Sequence, residues 1–256
     1  MRNILAIAGK EIRSYFVSPI AYVVIGLFAV LYGLFYVASL LVMVRVSMQM
    51  GMFGGGPQSI NINEFMIRPL LGNTAVVLLF MLPMITMRSY AEEKRTGTIE
   101  LLLTRPITDF QIAMGKFLGA MALFGLMLAV TLIHVGILFW YGEPELGPLL
   151  SGYLGLALMG GAFISVGLLI SSMTRNQIVA GVMTFVVLLV FWVINWISDS
   201  SGPTTRAVLS YLSILEHFDD FSKGVVDTKH LAYYLSFMGF GLFLTVKSVD
   251  SERWRG

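Results

Sequence analysis

Residues 20–44 read IAYVVIGLFAVLYGLFYVASLLVMV, a stretch of 25 residues without a charged side chain. The hydrocarbon core of a bilayer is about 30 Å thick, and about 20 residues of α-helix cross it. Solid apolar blocks of this kind indicate helices, because the strands of a membrane barrel alternate apolar and polar residues. Five further apolar runs follow, at Leu70–Met87, Phe117–Tyr141, Leu149–Met173, Ile178–Ile197 and Leu231–Val246. The sequence therefore predicts an all-α integral membrane protein with six transmembrane helices, in a single domain over residues 1–256.

The composition supports this class and excludes several others. Of the 256 residues, 57% are hydrophobic and 12% are charged, and the mean hydropathy is +0.81. Soluble domains carry about 25% charged residues, so most of this surface does not face water. The net charge of +2 without a basic block predicts no nucleic-acid partner. The absence of cysteine excludes disulfides, thiolate metal sites and cysteine nucleophiles.

Two segments outside the apolar runs have the pattern of amphipathic helices. At the amino terminus, an interfacial helix is predicted within residues 1–19. Its apolar stripe is Ile4, Ala8, Ile12 and Tyr15, with Lys10, Glu11 and Arg13 elsewhere. In the loop 198–230, apolar residues at helical spacing predict a short outer-face helix, with an ordinary packed loop as the alternative. They are Val208, Tyr211, Leu212, Leu215 and Phe218.

The distribution of basic residues predicts the orientation. If both termini share one side of the membrane, that side holds 12 of the 17 lysines and arginines. Because Lys and Arg are enriched in cytoplasmic loops, we expect both termini in the cytoplasm and the chain in a bacterial inner membrane.

The cytoplasmic loop 88–116 is the most informative segment outside the spans. Residues 88–111 read RSYAEEKRTGTIELLLTRPITDFQ. Gly97 permits a sharp bend, a two-turn helix is predicted over Thr98–Thr104, and Pro106 ends it. Thr108 and Gln111 fit a capping box that opens the third span. The aliphatic residues of the short helix form an apolar ridge that requires a partner.

The residues of this loop resemble those of ABC type-2 permeases. The resemblance rests on EKRTGTIE at 93–100, then Leu102-Leu103, Pro106-Ile107 and Gly115-Lys116, and Arg105 departs from it. Gly9-Lys10-Glu11 with Tyr15, Phe16 and Pro19 is similar to the family's interfacial helix. EHFD at 216–219 and FSKGVVD at 221–227 are similar to the gliding-motility-associated branch.

The resemblance implies an exporter built from two permeases, identical or paralogous, and cytoplasmic ATPase subunits. It implies that the loop after the second span is the element coupled to the ATPase. The coupling residues predicted are Glu92, Glu93, Arg95, Gly97, Thr98, Glu100, Leu101, Leu102, Leu103 and Pro106. The sequence lacks G-x-x-x-x-G-K-[ST], since Gly115-Lys116 is followed by Phe117. We therefore expect no catalytic, cofactor or metal site here, and ATP and Mg²⁺ on the partner ATPase.

Within the spans, few polar groups invite a functional role. A small-residue strip, Ala157, Gly161 and Ser165, predicts close helix packing. His134 is predicted to be a neutral histidine bonded to a neighbouring helix. An ion-coupled carrier would place Asp or Glu inside its spans, and the six runs contain neither. That alternative stays open, as does a non-transporting membrane anchor of an ATPase complex, and membrane lipid is a partner in every case.

The orientation can be tested with single cysteines in this cysteine-free chain. A cysteine at Ser59 should react with an impermeant thiol reagent in intact spheroplasts. A cysteine at Thr96 should react only after the membrane is permeabilised. Reaction of the Thr96 cysteine in intact spheroplasts would contradict the predicted orientation.

Overall fold

The computed structural model describes residues 1–52, 61–103, 106–199 and 202–253. At positions 50–52, 101–103, 198–199, 203, 204, 207 and 253 it describes the backbone alone. Within these ranges the regular structure is helical and includes no strand. This confirms the all-α class predicted from the apolar runs.

Six helices in the described ranges are long and apolar enough to cross a membrane. They are α2 (Ile20–Met52), α3 (Arg68–Thr86), α6 (Asp109–Tyr141), α7 (Leu146–Met173), α8 (Gln177–Asp199) and α11 (Thr228–Arg253). A π-helical turn, Asn63–Ile67, leads directly into α3. Each predicted apolar run coincides with one of these helices, so the six spans are confirmed by length and composition.

Five shorter helices gather at the two ends of the bundle. They are α1 (Arg2–Val17), α4 (Ala91–Thr96), α5 (Thr98–Leu103), α9 (Pro203–Leu212) and α10 (Ile214–Ser222). The first three precede or follow spans at one end, which we call the α4 face. Helices α9 and α10 connect α8 to α11 at the other end, which we call the α10 face. Because the number of spans is even, both ends of the described chain lie at the α4 face.

The centre of the bundle is α7, which packs against α3, α6, α8, α10 and α11. Small residues allow this close approach. A methyl group at Gly160 would overlap Phe124 of α6, and one at Gly167 would overlap Thr86 of α3. The predicted strip contributes as well, since Gly161 lies against Met238 and Ser165 lies against Gly241, both on α11. Its third member, Ala157, is half-buried.

Helix α1 lies along the first turns of α6 and has the predicted bounds. Gly115 and Gly119 of α6 leave room for Ile7 and Glu11 of α1. The buried residues of α1 include Glu11 beside Ile7, Ala8 and Tyr15. Placing Glu11 away from the packed stripe was therefore wrong, because its carboxylate has a buried partner on α6.

The connection 198–230 contains two helices where the sequence predicted one. The break falls at Ser213, whose hydroxyl accepts a hydrogen bond from the backbone N–H of Glu216 and so caps α10. The predicted apolar stripe is divided between the two helices. Phe218 on α10 is buried, whereas Val208 and Tyr211 on α9 are exposed.

The sequence predicted that His134, inside the third span, is bonded to a neighbouring helix, and its contacts with that helix are between aromatic rings. The ring of His134 lies 5.2 Å from the ring of Tyr32 and 5.1 Å from that of Tyr36, centroid to centroid. Its Nδ1 is buried without a hydrogen-bond partner among the described residues. Ring contacts with α2 hold it instead.

Two other histidines join α10 to α11 on the α10 face. His217 Nδ1 lies 2.6 Å from His230 Nδ1, and His230 Nε2 lies 2.8 Å from Asp220 Oδ2. His217 Nε2 donates to the carbonyl of Tyr211 at 3.0 Å. A carbonyl and a carboxylate only accept hydrogen bonds, so both Nε2 atoms donate, and the contact between the two Nδ1 atoms needs one of them to accept. Protonation of both rings leaves no acceptor there, and that contact is then lost.

Acidification should weaken this junction. Burial lowers the pKa of His217 below its ordinary value of 6.5. The folded state therefore binds this proton less readily than the unfolded state, and stability present above pH 6.5 is lost as the pH falls through the lowered pKa. The melting temperature in detergent should decrease from pH 7.5 to pH 5, and by less in His217→Asn. Equal pH dependence in both proteins would contradict this account.

A buried lysine at the candidate coupling site

The loop 88–116 folds locally as its sequence predicts. Helix α4 ends at Gly97, whose φ of 72° is in the left-handed region that glycine adopts without strain. Helix α5 begins at the next residue. At the start of α6, the Thr108 side chain accepts from the backbone N–H of Gln111, and the Gln111 side chain accepts from that of Thr108. The bend and the capping box are both confirmed.

The centre of the site is Lys116, two turns into α6. Its side chain is 1% exposed. Its Nζ lies 2.8 Å from Glu11 Oε1 on α1, 2.9 Å from Glu93 Oε2 on α4 and 2.6 Å from the carbonyl oxygen of Ser89. An ammonium group has three donors, and three acceptors surround this one. Its Nζ also lies 5.0 Å from the centre of the Tyr90 ring.

Two carboxylates meet at Lys116, and a second lysine balances them. Glu93 is 14% exposed at its side chain and accepts a hydrogen bond of 2.7 Å from Lys10 Nζ. The cluster therefore contains Glu11 and Glu93 against Lys10 and Lys116, with no net charge. Burying an ion costs several kcal/mol unless it is paired and hydrogen-bonded. This pairing connects α1, α4 and α6, which are distant in the sequence.

The other side of α4 is attached to α7 and α11. The Ser171 hydroxyl accepts from the backbone N–H groups of Tyr90 and Ala91 and donates to the carbonyl of Met87. These backbone groups lie in the turn before α4 and at its first residue, where no hydrogen bond within a helix is made. A buried N–H without a partner would cost about 1–3 kcal/mol. Lys94 binds the carbonyl of Ser172 and lies 2.6 Å from Glu252 Oε1 of α11.

Between α1 and α4 lies a cleft of about 330 Å³ that opens on the α4 face. Lys10, Tyr15, Arg88 and Glu92 are among its lining residues. Arg88 and Glu92 form two side-chain hydrogen bonds of 2.7 and 2.9 Å across one turn of helix. Burial raises the pKa of Tyr15 to about 12, so its phenol stays neutral at physiological pH.

The structure divides the predicted coupling residues into three groups. Arg95, Gly97, Thr98, Glu100 and Pro106 are exposed on the α4 face. Glu92 and Glu93 are partly buried and bound to basic side chains of the same chain. The side chains of Leu101, Leu102 and Leu103 lie outside the described residues. The sequence predicted that Glu93 contacts a partner subunit. In the structure Glu93 instead pairs with Lys10 and Lys116 of the same chain.

Sequence reasoning missed the residues that fix this loop. Lys116, Lys94, Glu11 and Ser171 were not among the predicted site residues. A signal existed for Lys116, because it stands in α6 among Ile112, Ala113 and Phe117, where a charged group needs a buried partner. Nothing in the sequence identifies that partner, since Glu11 is 105 positions away.

Comparisons with known proteins identify the family. Residues 46–214, about two thirds of the chain, match the family described as ABC-2 family transporter protein. The chain belongs to the ABC-2 transporter family. The match includes the predicted coupling segment Arg88–Pro106 and four spans. It does not distinguish the gliding-motility-associated branch, which stays a prediction.

Curated relatives share part of this chain. Over 145 residues it is 30% identical to "Probable multidrug ABC transporter permease YbhR" of Escherichia coli K12, covering 55% of this chain and 38% of that protein. Over 116 residues it is 33% identical to "Inner membrane transport permease YhhJ" of the same strain, covering 44% and 29%. The aligned segments thus span less than two fifths of either relative.

Removing the buried ammonium should destabilise the protein more than removing an exposed one. Lys116→Met leaves Glu11 and Glu93 buried without their shared partner, which we expect to cost about 3–5 kcal/mol of unfolding free energy. Lys10→Met is the matched control, because the Lys10 side chain is 58% exposed and surface pairs contribute about 0–1 kcal/mol. Urea unfolding in detergent would compare them. Equal losses in both variants would refute the role of burial.

Proposed function

We propose that this chain is the permease subunit of an ATP-binding-cassette exporter in a bacterial inner membrane. It binds no nucleotide itself. A separate cytoplasmic ATPase subunit holds ATP and Mg²⁺, and two permeases, identical or paralogous, form the transport unit. Family membership supports the proposal, and so do the names of the relatives, which describe transport permeases. Both termini are cytoplasmic, which makes the α4 face the side that meets the ATPase.

The observation that carries the proposal is the attachment of α4 on two sides. Lys116 ties Glu93 of α4 to α1 and α6, while Lys94 ties α4 to α7 and α11. Exposed residues of the same loop, among them Arg95, Thr98 and Glu100, remain available to a partner. A force on this surface therefore reaches the ends of four helices through buried contacts.

An ion-coupled carrier fits the described residues less well. Such carriers hold acidic side chains at mid-membrane depth. In the described spans, the carboxylates stand near helix ends: Glu64, Glu92, Glu93, Asp109, Asp250 and Glu252. A non-transporting anchor that uses an ATPase to do mechanical work would depend on the same loop. Transport of a labelled substrate separates the two.

The partner can be identified directly. The tagged chain, purified from native membranes in mild detergent, should retain an ATPase that has a phosphate-binding loop, in a two-plus-two complex by native mass measurement. Recovery of a fully active chain without any ATPase would overturn the proposal.

A substitution at Gly97 should separate ATP hydrolysis from transport. Because φ is 72° here, Gly97→Val places a β-branched residue in the left-handed region, at a cost of roughly 1–3 kcal/mol. We expect normal membrane levels, retained ATPase activity and strongly reduced transport. Gly97→Asn is the control, since asparagine tolerates this backbone conformation, and it should behave nearly as the native protein. Native transport by Gly97→Val would contradict the coupling role of the bend.

A further inference from the structure

A groove of about 600 Å³ opens on the α10 face, between the start of α3, the end of α8 and helix α10. We call it the α10 groove. Its apolar wall includes Phe65, Leu215 and the buried Phe218. Since the start of one span, α3, and the end of another, α8, border the groove, we expect it at the depth where lipid head groups meet the protein. An apolar wall beside polar groups suits an amphiphile better than a water-soluble ion.

More acidic than basic side chains line the groove. Arg68 lies 2.7 Å from Asp219, whose other oxygen lies 2.5 Å from Lys223. Asp219 is thereby neutralised. Glu64 and Glu216 also line the groove and are exposed, and neither side-chain carboxylate has a hydrogen-bond or ion-pair partner among the described residues. Two carboxylates are therefore available to a ligand.

A third acceptor lies in the same groove. Asn195 of α8 lines it, and the side-chain oxygen of Asn195 is buried without a hydrogen-bond partner among the described residues. A buried carbonyl oxygen is stable only when a donor reaches it. The groove thus contains three acceptors that an N–H donor of a ligand could bond.

Arg68 supplies donors to the same groove. Its guanidinium has five N–H groups, and its one hydrogen bond to Asp219 leaves most of them free for a phosphate.

We propose that the α10 groove binds the head group of an aminophospholipid, with its primary ammonium held by Glu64, Glu216 and Asn195 and its phosphate held by Arg68. The acyl chains run along the apolar wall. An ammonium has three donors for these acceptors, whereas a trimethylammonium head has none. An anionic head without an amine meets the carboxylates unfavourably. This site is independent of ATP coupling, because lipid binding needs neither nucleotide nor the ATPase subunit.

Native mass spectrometry of the purified chain with three lipids of identical acyl chains tests the proposal. Phosphatidylethanolamine, phosphatidylcholine and phosphatidylglycerol are added in equal amounts. We expect phosphatidylethanolamine to be retained about tenfold over phosphatidylcholine, a factor typical of one charge-assisted hydrogen bond. Equal retention of the two, a preference for phosphatidylglycerol, or retention of none would overturn the proposal.

Variants locate the site. Glu64→Gln with Glu216→Gln should abolish the preference, because both positions are exposed and the changes remove charge without removing packing. Glu143→Gln is the control, since Glu143 is exposed on the same face but does not line the groove. Asn195→Asp adds a carboxylate and should increase the preference. An unchanged preference in the double variant, or the same loss in Glu143→Gln, would place the lipid elsewhere and refute the assignment.

Discussion

The α4 face depends on the neutralisation of one buried ammonium group. Lys116 stands on an apolar helix with its side chain 1% exposed, where an unpaired charge would be very costly. Glu11 and the carbonyl of Ser89 accept its hydrogen bonds, and the Glu93 carboxylate lies 2.9 Å away as an ion-pair partner. Glu11 lies on α1, whereas Ser89 and Glu93 lie just before and in α4, so the positions of α1 and α4 are set by the same constraint. The chain cannot move either helix far without uncovering the charge.

The two ends of the bundle are held by different kinds of contact. On the α4 face, buried ions and the Ser171 hydroxyl fix the turn before α4. On the α10 face, the pair of Arg68 with Asp219 has side chains 42% and 43% exposed, while the contact of His217 with His230 is buried. Exposed pairs are weakened by water and salt. The ion pairs around Lys116 are therefore less weakened by water and salt than the pair of Arg68 with Asp219.

The sequence predicted the parts of the fold that depend on local pattern. Apolar runs located all six spans, and the Gly97 bend and the Thr108 cap follow from residues within one turn of each other. What the sequence could not reveal is the pairing of residues far apart. Glu11 looked like a solvent-facing charge because its partner lies on another helix. The division of the outer helix at Ser213 was missed for a local reason, since a serine within an apolar periodicity was not read as a cap.

The sequence predicted where the candidate site lies but not which partners its charged residues have. The loop 88–116 was recognised from its motif, but Glu93 was predicted to contact a partner together with Glu100, and Lys94 and Lys116 were given no role in the site. The structure instead uses Glu93 internally and leaves Arg95, Thr98 and Glu100 exposed. The distinction depends on which charged side chain reaches a buried lysine, and tertiary packing alone decides that. Family membership fixes the type of protein, while these contacts specify how its loop is attached.

Lys116 joins α1 and α4 to α6 as one unit. Amide hydrogen exchange followed by mass spectrometry tests it most directly, on the native chain and on Lys116→Met, each in detergent. The account predicts faster exchange in both α1 and α4 of the variant, by a similar factor, while α8, which supplies none of the acceptors around the Lys116 ammonium, keeps its native protection. Faster exchange confined to α6, or native protection of α1 and α4 in the variant, would contradict it.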